Sequence, residues 1–139
     1  MERPELGVLL SRVLHEVLAR EEAVLTPEGL AMWDYVVLAA LGDGDAPTQT
    51  GLAAATGRDK TRLIGNLDRL EERGLVARTP DPADRRNRII ALTAEGRSTL
   101  ARCRSAIRKQ EADLLGALPA SQREAFERAL TRLAGPGPT

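Results

Sequence analysis

Thr48-Gln49-Thr50-Gly51-Leu52-Ala53-Ala54-Ala55-Thr56-Gly57, followed at once by Arg58-Asp59-Lys60-Thr61-Arg62-Leu63-Ile64-Gly65-Asn66-Leu67-Asp68-Arg69-Leu70-Glu71-Glu72-Arg73, is the stretch whose reading decides the fold. Thr48, behind Pro47, is a good helix N-cap, so a short helix is expected after it. Thr56-Gly57 ends that helix with the residue most tolerant of left-handed backbone. A second helix is expected from Arg58 to Arg73. Ala53 stands before the glycine and Leu63 after it. A small residue where two helices touch, a glycine at the corner and an aliphatic residue that packs back make a helix-turn-helix whose helices cross steeply.

At about 100° per residue, Leu63, Leu67, Leu70 and Gly74 share one side of the second helix, the core side. Arg58, Arg62, Asn66, Arg69 and Arg73 leave the opposite side, with Gly65 among them. Cations and an amide on one face of a helix that fits the B-DNA major groove point to double-stranded DNA, with a solvated basic face as the alternative. Leu75-Val76-Ala77-Arg78-Thr79 and Arg88-Ile89-Ile90-Ala91-Leu92 read as two short strands, joined by the turn-rich Pro80-Asp81-Pro82-Ala83-Asp84-Arg85-Arg86-Asn87. A helix-turn-helix followed by a hairpin with a cationic tip is a winged helix.

These residues carry a family resemblance. Asp59-Lys60-Thr61-Arg62, then Leu67-Asp68-Arg69-Leu70-Glu71-Glu72-Arg73-Gly74-Leu75-Val76, then Asp84-Arg85-Arg86 and Leu92-Thr93-Ala94-Glu95-Gly96 occur in an order and spacing similar to the multiple-antibiotic-resistance regulator (MarR) family. The resemblance spans most of the chain and implies a homodimeric winged-helix transcriptional regulator, often released from its operator by a small ligand. Gly65 is a departure, standing where many relatives carry a larger side chain.

The 139 residues are enough for one domain, 42% hydrophobic and 29% charged. No run approaches the roughly 18 apolar residues of a membrane span, no signal-peptide pattern opens the chain, and a single cysteine fits a reducing compartment, so a cytoplasmic protein without membrane contact is expected. The formal net charge is zero. Phosphate neutralisation needs cations, and their distribution supplies them: residues 1–57 hold three Arg against nine acids, whereas residues 58–88 hold nine Lys and Arg against six. With one His, one Cys and none of the H-E-x-x-H, G-x-S-x-G, P-loop or dinucleotide patterns, no catalytic residue, metal site or cofactor is expected. The rival reading is a winged-helix adaptor that binds protein rather than DNA, since a fold does not fix a function. Such an adaptor has no reason to gather arginines on both the second helix and the hairpin tip.

Outside the winged helix, Leu6, Leu9, Leu10, Val13, Leu14, Val17 and Leu18 make an amphipathic helix from about Glu5 to Glu22. Thr26-Pro27 is expected to open a helix running to about Leu41, with Leu30, Trp33, Val37, Leu38 and Leu41 on its core face. Thr93 is expected to cap a long helix to about Leu118, seamed by Leu100, Cys103, Ile107, Leu114 and Leu118. Ser121-Gln122-Arg123-Glu124 reads as a capping box opening a last helix faced by Phe126, Ala129, Leu130 and Leu133. A small winged-helix core cannot cover three more apolar faces, so residues 1–25 and 93–139 are expected to form a dimerisation region around the DNA-binding region 26–92, in one integrated domain. A monomer with its termini folded back is the alternative.

Within the DNA reading, Arg58, Lys60, Thr61 and Arg62 lie where a recognition helix meets base edges, and Arg62 and Asn66 suit guanine and adenine. Arg69 and Arg73 are phosphate contacts or intrahelical partners. Thr48 and Gln49 offer donors to phosphate from a helix N-terminus. The resemblance assigns Arg86 to the minor groove, with Asp84 holding that arginine or the turn, and leaves Arg85 and Arg88 to neutralise the backbone; Arg88 is as readily a solvated strand residue. Proteins similar to this one bind small aromatic or phenolic compounds, for which His15, Met32, Trp33 and Tyr35 are the candidate lining, with a plain core role as the alternative. Cys103, on the apolar seam, reads as a buried inert thiol rather than a redox switch.

Overall fold

The structure, a computed structural model, describes residues 2–45 and 48–137. Pro47, expected ahead of the cap at Thr48, lies outside them. Helix α1 (Leu6–Leu25) runs into one 3-10 turn over Thr26–Glu28. It is followed by α2 (Met32–Gly42), α3 (Gln49–Thr56), α4 (Lys60–Glu72), β1 (Val76–Pro80), β2 (Arg88–Leu92), α5 (Ala94–Leu115) and α6 (Ala120–Ala134). The strands pair antiparallel, from Val76 opposite Leu92 to Pro80 opposite Arg88. The architecture is the expected one, mainly α with a small β-wing and helices at both ends.

Several helix starts differ from the sequence reading, each for a local reason. Thr26-Pro27 opens only one turn, because Gly29 takes φ 70° and closes it. The chain restarts as a helix at Met32, where Asp34 reaches back to accept the Ala31 N–H at 2.9 Å. Helix α4 begins at Lys60 rather than Arg58, capped by Asp59, whose carboxylate accepts from the Arg62 N–H at 3.2 Å. Helix α5 ends at Leu115, short of Leu118, and α6 starts at Ala120 behind Pro119 with no side-chain cap, so the capping box expected at Ser121 does not form.

The corner between wing and α5 is built from paired main-chain and side-chain bonds. Leu75, expected in the first strand, precedes it and accepts the Thr93 N–H on its carbonyl at 3.1 Å. The Thr93 hydroxyl donates to the Gly74 carbonyl at 2.6 Å and accepts from the Gly96 N–H at 3.0 Å. A Cβ on Gly96 would run into the Leu75 carbonyl oxygen, so this close approach requires glycine.

One apolar core joins all of this except α6. Leu63, Leu67 and Leu70 of α4 are buried in it beside Val37, Leu38 and Leu41 of α2, Leu52 of α3 and Ile90 of β2. Each fully buried leucine contributes about 1.5–3 kcal/mol, so these three hold α4 firmly against the scaffold. Trp33, expected on the core face, is only half-buried. The terminal helices are different: α6 buries none of its residues and α1 only Leu25. Leu10, Leu14 and Leu130 are 56%, 55% and 45% exposed.

Candidate nucleic-acid interface

The arginine stripe of the second helix divides in two. Lys60, Thr61 and Arg62, in the first turn of α4, are exposed. Among the described residues neither Lys60 nor Arg62 has an acid within 4.0 Å, so both charges are available to a partner. The remaining cations are committed to protein groups. Arg58, just ahead of α4, lies 4.6 Å from the centre of the Trp33 ring and donates through Nε to Asn66 Oδ1 at 3.2 Å. Arg69 reaches Asp34 at 3.4 Å, and Arg73 donates to the carbonyls of Glu28 and Gly29 at 2.8 and 2.9 Å. The partners of Arg69 and Arg73 are therefore on the preceding elements, not within α4.

Asn66 does not belong to the outward face. It is 1% exposed, and its Nδ2 donates to Asp34 Oδ1 at 2.7 Å. With Oδ1 taken by Arg58 and the amide enclosed, no edge is left for adenine, and the expected base contact is replaced by a structural one. Asp34, itself 5% exposed, accepts from Ala31, Asn66 and Arg69. A buried carboxylate persists only when it is paired and hydrogen-bonded, and these donors meet that condition.

Thr48 caps α3 by accepting from the Gly51 N–H at 2.8 Å, which leaves the hydroxyl proton to donate outward. Gln49 Oε1 accepts from Arg78 Nη1 at 3.3 Å, leaving its NH2 as donor. Arg78 of β1 also bonds Asp68 at 2.6 Å and Glu71 at 2.9 Å on α4. It thus ties the wing, α4 and the start of α3 into one unit, and its hydrogen bond pulls the Glu71 carboxyl below its usual value. Sequence reasoning missed this residue, because a lone arginine in a strand gives no sign of partners on another element.

The wing tip is a folded turn rather than a loose loop. The Asp81 N–H bonds the Asn87 carbonyl at 3.0 Å, and the Asp84 carboxylate accepts from the Arg86 N–H at 3.1 Å. The same carboxylate takes Arg86 Nε at 3.1 Å and Nη2 at 3.3 Å, so Asp84 holds both the arginine and the turn. The Arg86 side-chain bond, and then its backbone bond, keep the Asp84 carboxyl below its ordinary range. Arg86 still shows 90% of its side chain to solvent. Arg85 and Arg88 are exposed as well, without an ion pair among the described residues.

Among the described residues, the four ligand candidates do not together line the groove nearest to them. A groove of about 380 Å³ between α1 and the start of α2 is lined by Leu18, Glu22, Leu25, Leu30, Ala31 and Met32, so Met32 alone of the four reaches it. His15 is exposed on α1, one turn before Leu18. Tyr35 packs partly on the core, and Trp33 is covered by Arg58. Cys103 is buried, and desolvation raises its thiol pKa, as expected of an inert thiol.

Comparison with known proteins places this geometry. Residues 28–87 match the MarR family profile. The HTH-type transcriptional repressor Rv2887 of Mycobacterium tuberculosis is 31% identical over 128 residues, 92% of each chain. Its structure in complex with DNA aligns with a TM-score of 0.83 at 29% identity, over 96% of this chain and 100% of that one. The transcriptional regulator HosA of Escherichia coli is 38% identical over 92 residues, 66% of this chain and 68% of HosA. The repressor CouR, bound to a 23-mer DNA duplex, aligns with a TM-score of 0.82 at 32% identity, over 94% of this chain and 93% of CouR. CouR, from Rhodococcus jostii, has also been solved with p-coumaroyl-CoA, and Rv2887 with p-aminosalicylic acid.

Proposed function

The chain belongs to the MarR family of transcriptional regulators, and from that premise we propose that it is a cytoplasmic repressor that binds double-stranded DNA sequence-specifically as a homodimer. The observation that carries the reading is a set of exposed cations: Lys60 and Arg62 of α4 and Arg85 and Arg88 of the wing, which have no ion pair among the described residues, and Arg86 at the wing tip, which stays 90% open to solvent while Asp84 holds it. A recognition helix needs free donors for base edges and a wing needs them for phosphate, whereas an adaptor surface would need neither. Arg62 is the base reader, with Lys60 and Thr61 beside it. Arg86 enters the minor groove, Asp84 holds it in place, Arg85 and Arg88 neutralise phosphate, and Thr48 and Gln49 bond the backbone ahead of α3. Arg58 and Arg69, held by Asn66, Trp33 and Asp34, face phosphate with whatever donors those bonds leave.

The unpaired faces of α1 and α6 support the homodimer, and the two-fold axis it brings makes an inverted-repeat operator the matching site. Residues 1–25 and 93–139 are then the dimerisation parts and 26–92 the DNA-binding part. The groove beside Met32 is of a size that holds a small aromatic or phenolic acid, and such a ligand there, next to the α1–α2 junction, would release the operator.

Selection of duplexes from a random library, followed by fluorescence anisotropy on the enriched site and on a scrambled one, tests the proposal. Tight binding to the enriched site, weaker binding to the other and a steep loss with salt are expected. Arg62→Ala should cost about 1–3 kcal/mol on the enriched site and much less on the scrambled one. No enrichment, with no salt-dependent retention on any duplex, would leave the adaptor reading in its place.

A further inference from the structure

Gly65 sits in the second turn of α4, and among the described residues it is the one glycine in a helix interior rather than at an end or in a turn. Glycine is the least favourable residue there short of proline, because it gives up the most backbone freedom and packs nothing. Elsewhere the chain shows its own reasons for glycine. A Cβ on Gly96 would strike the Leu75 carbonyl, and one on Gly42 would press into Leu100. At Gly65 no such reason exists: the nearest atom to an added Cβ is Arg69 Nη1 at 3.7 Å, an ordinary van der Waals contact. The fold has room for alanine and would gain from it.

The position lies three residues after Arg62 and four before Arg69, centred on the face opposite Leu63, Leu67 and Leu70. Its backbone is therefore half-exposed in the middle of the outward stripe, without a side chain of its own, between the uncommitted Arg62 and the Arg69 that Asp34 holds. A missing side chain on that face lets the helix axis come closer to whatever it is laid against. We propose that Gly65 is a specificity-determining residue, the point at which the α4 backbone lies directly against base edges in the major groove and sets the depth from which Arg62 and Thr61 read them. The inference rests on the DNA-binding reading above. A side chain at Gly65 lifts the helix from the groove floor, which weakens short, geometry-sensitive base contacts first and leaves longer, screened phosphate attraction nearly intact.

The test compares wild type, Gly65→Ala and Gly65→Ser on the duplex that wild type enriches from a random library and on a scrambled duplex of equal length. Gly65→Ala should raise the melting temperature by roughly 2–5 °C, as relief of an unfavourable helix residue does. It should weaken binding to the enriched duplex by about tenfold or more and to the scrambled duplex by less than about threefold, with the serine variant following it in binding. Unchanged affinity for the enriched duplex would overturn the inference, and so would an equal loss on both duplexes, which places the backbone at phosphate. A lowered melting temperature would overturn it as well, by giving the glycine a packing role. Failure of wild type to enrich any duplex is a separate result, which sinks the DNA-binding reading and the inference with it.

Discussion

Asn66 on α4 donates its amide to the Asp34 carboxylate on α2 at 2.7 Å, with both side chains buried. The bond fixes how α4 sits on α2, and through Asn66 Oδ1 it also sets Arg58 over Trp33. Removing one partner strands the other in the interior, which costs about 1–3 kcal/mol. Asn66→Ala is therefore expected to lower the unfolding free energy measured in urea by that amount and to weaken cognate and random duplexes to a similar degree, in proportion to lost folded protein. A variant of unchanged stability that lost only cognate binding would restore Asn66 as a base reader.

The misplacement of Asn66 shows where helical periodicity stops being informative. At 100° per residue it stands about 60° from Arg69 and about 40° from Leu70, on the border of the two faces, and only a partner on another helix decides its side. That partner was hidden in turn. With a helix opened at Pro27, Asp34 falls in mid-helix, whereas Gly29 ends that turn and makes Asp34 the acid that caps the next helix. The helix-turn-helix, the hairpin and the exposed wing arginine were legible, because glycine at the corner, leucine spacing and turn residues act within a few positions. Long-range arginine partners such as those of Arg73 and Arg78 have no local signature.

Arg73 and Arg102 grip one turn from two directions. Arg73, from the end of α4, bonds the carbonyls of Glu28 and Gly29, while Arg102 of α5 bonds the Glu28 carboxylate at 2.9 and 3.2 Å. Because its guanidinium is engaged with carbonyls, Arg73→Ala should cost about 1 kcal/mol of stability and leave the slope of log K against log salt unchanged. A shallower slope would make Arg73 a phosphate ligand. The bond from Arg102 holds the Glu28 carboxyl below its ordinary value, so its contribution is present above that value and is lost as pH falls through the lowered one. Stability curves of wild type and Arg102→Ala should accordingly converge in acid, by a small amount because the pair is screened by solvent.

The wing gives a prediction with the opposite signature from Arg62. Arg86→Ala should weaken binding to all duplexes and reduce the salt slope by about one unit for each phosphate left unneutralised. Asp84→Ala should do similar damage without removing a cation, since the same carboxylate holds the arginine and the turn from which it projects. Full affinity in both variants would show that the tip stays clear of DNA.

Exposed apolar surface on α1 and α6 leads to the last prediction. Leu6, Leu10, Val13, Leu14 and Leu18 on one helix and Phe126, Leu130 and Leu133 on the other remain open in the single chain. Between them lies a groove of about 470 Å³ lined by Val13, Val17, Leu114, Leu115, Phe126 and Leu130. Soluble monomers seldom leave so many large apolar side chains open on two neighbouring helices, and covering them with a second copy of the same helices removes them from water, with Arg108, Glu111 and Glu127 at the same groove. Association and folding are then linked, and the melting temperature should rise with protein concentration. A charge placed in that shared core must be desolvated without a partner, so Leu10→Glu or Leu130→Glu should yield monomers in sedimentation, lower the melting temperature and abolish binding to an inverted repeat, although neither position lies on α4 or the wing. A stable monomer that held the inverted repeat with full affinity would refute the dimer and the two-fold reading of the operator together.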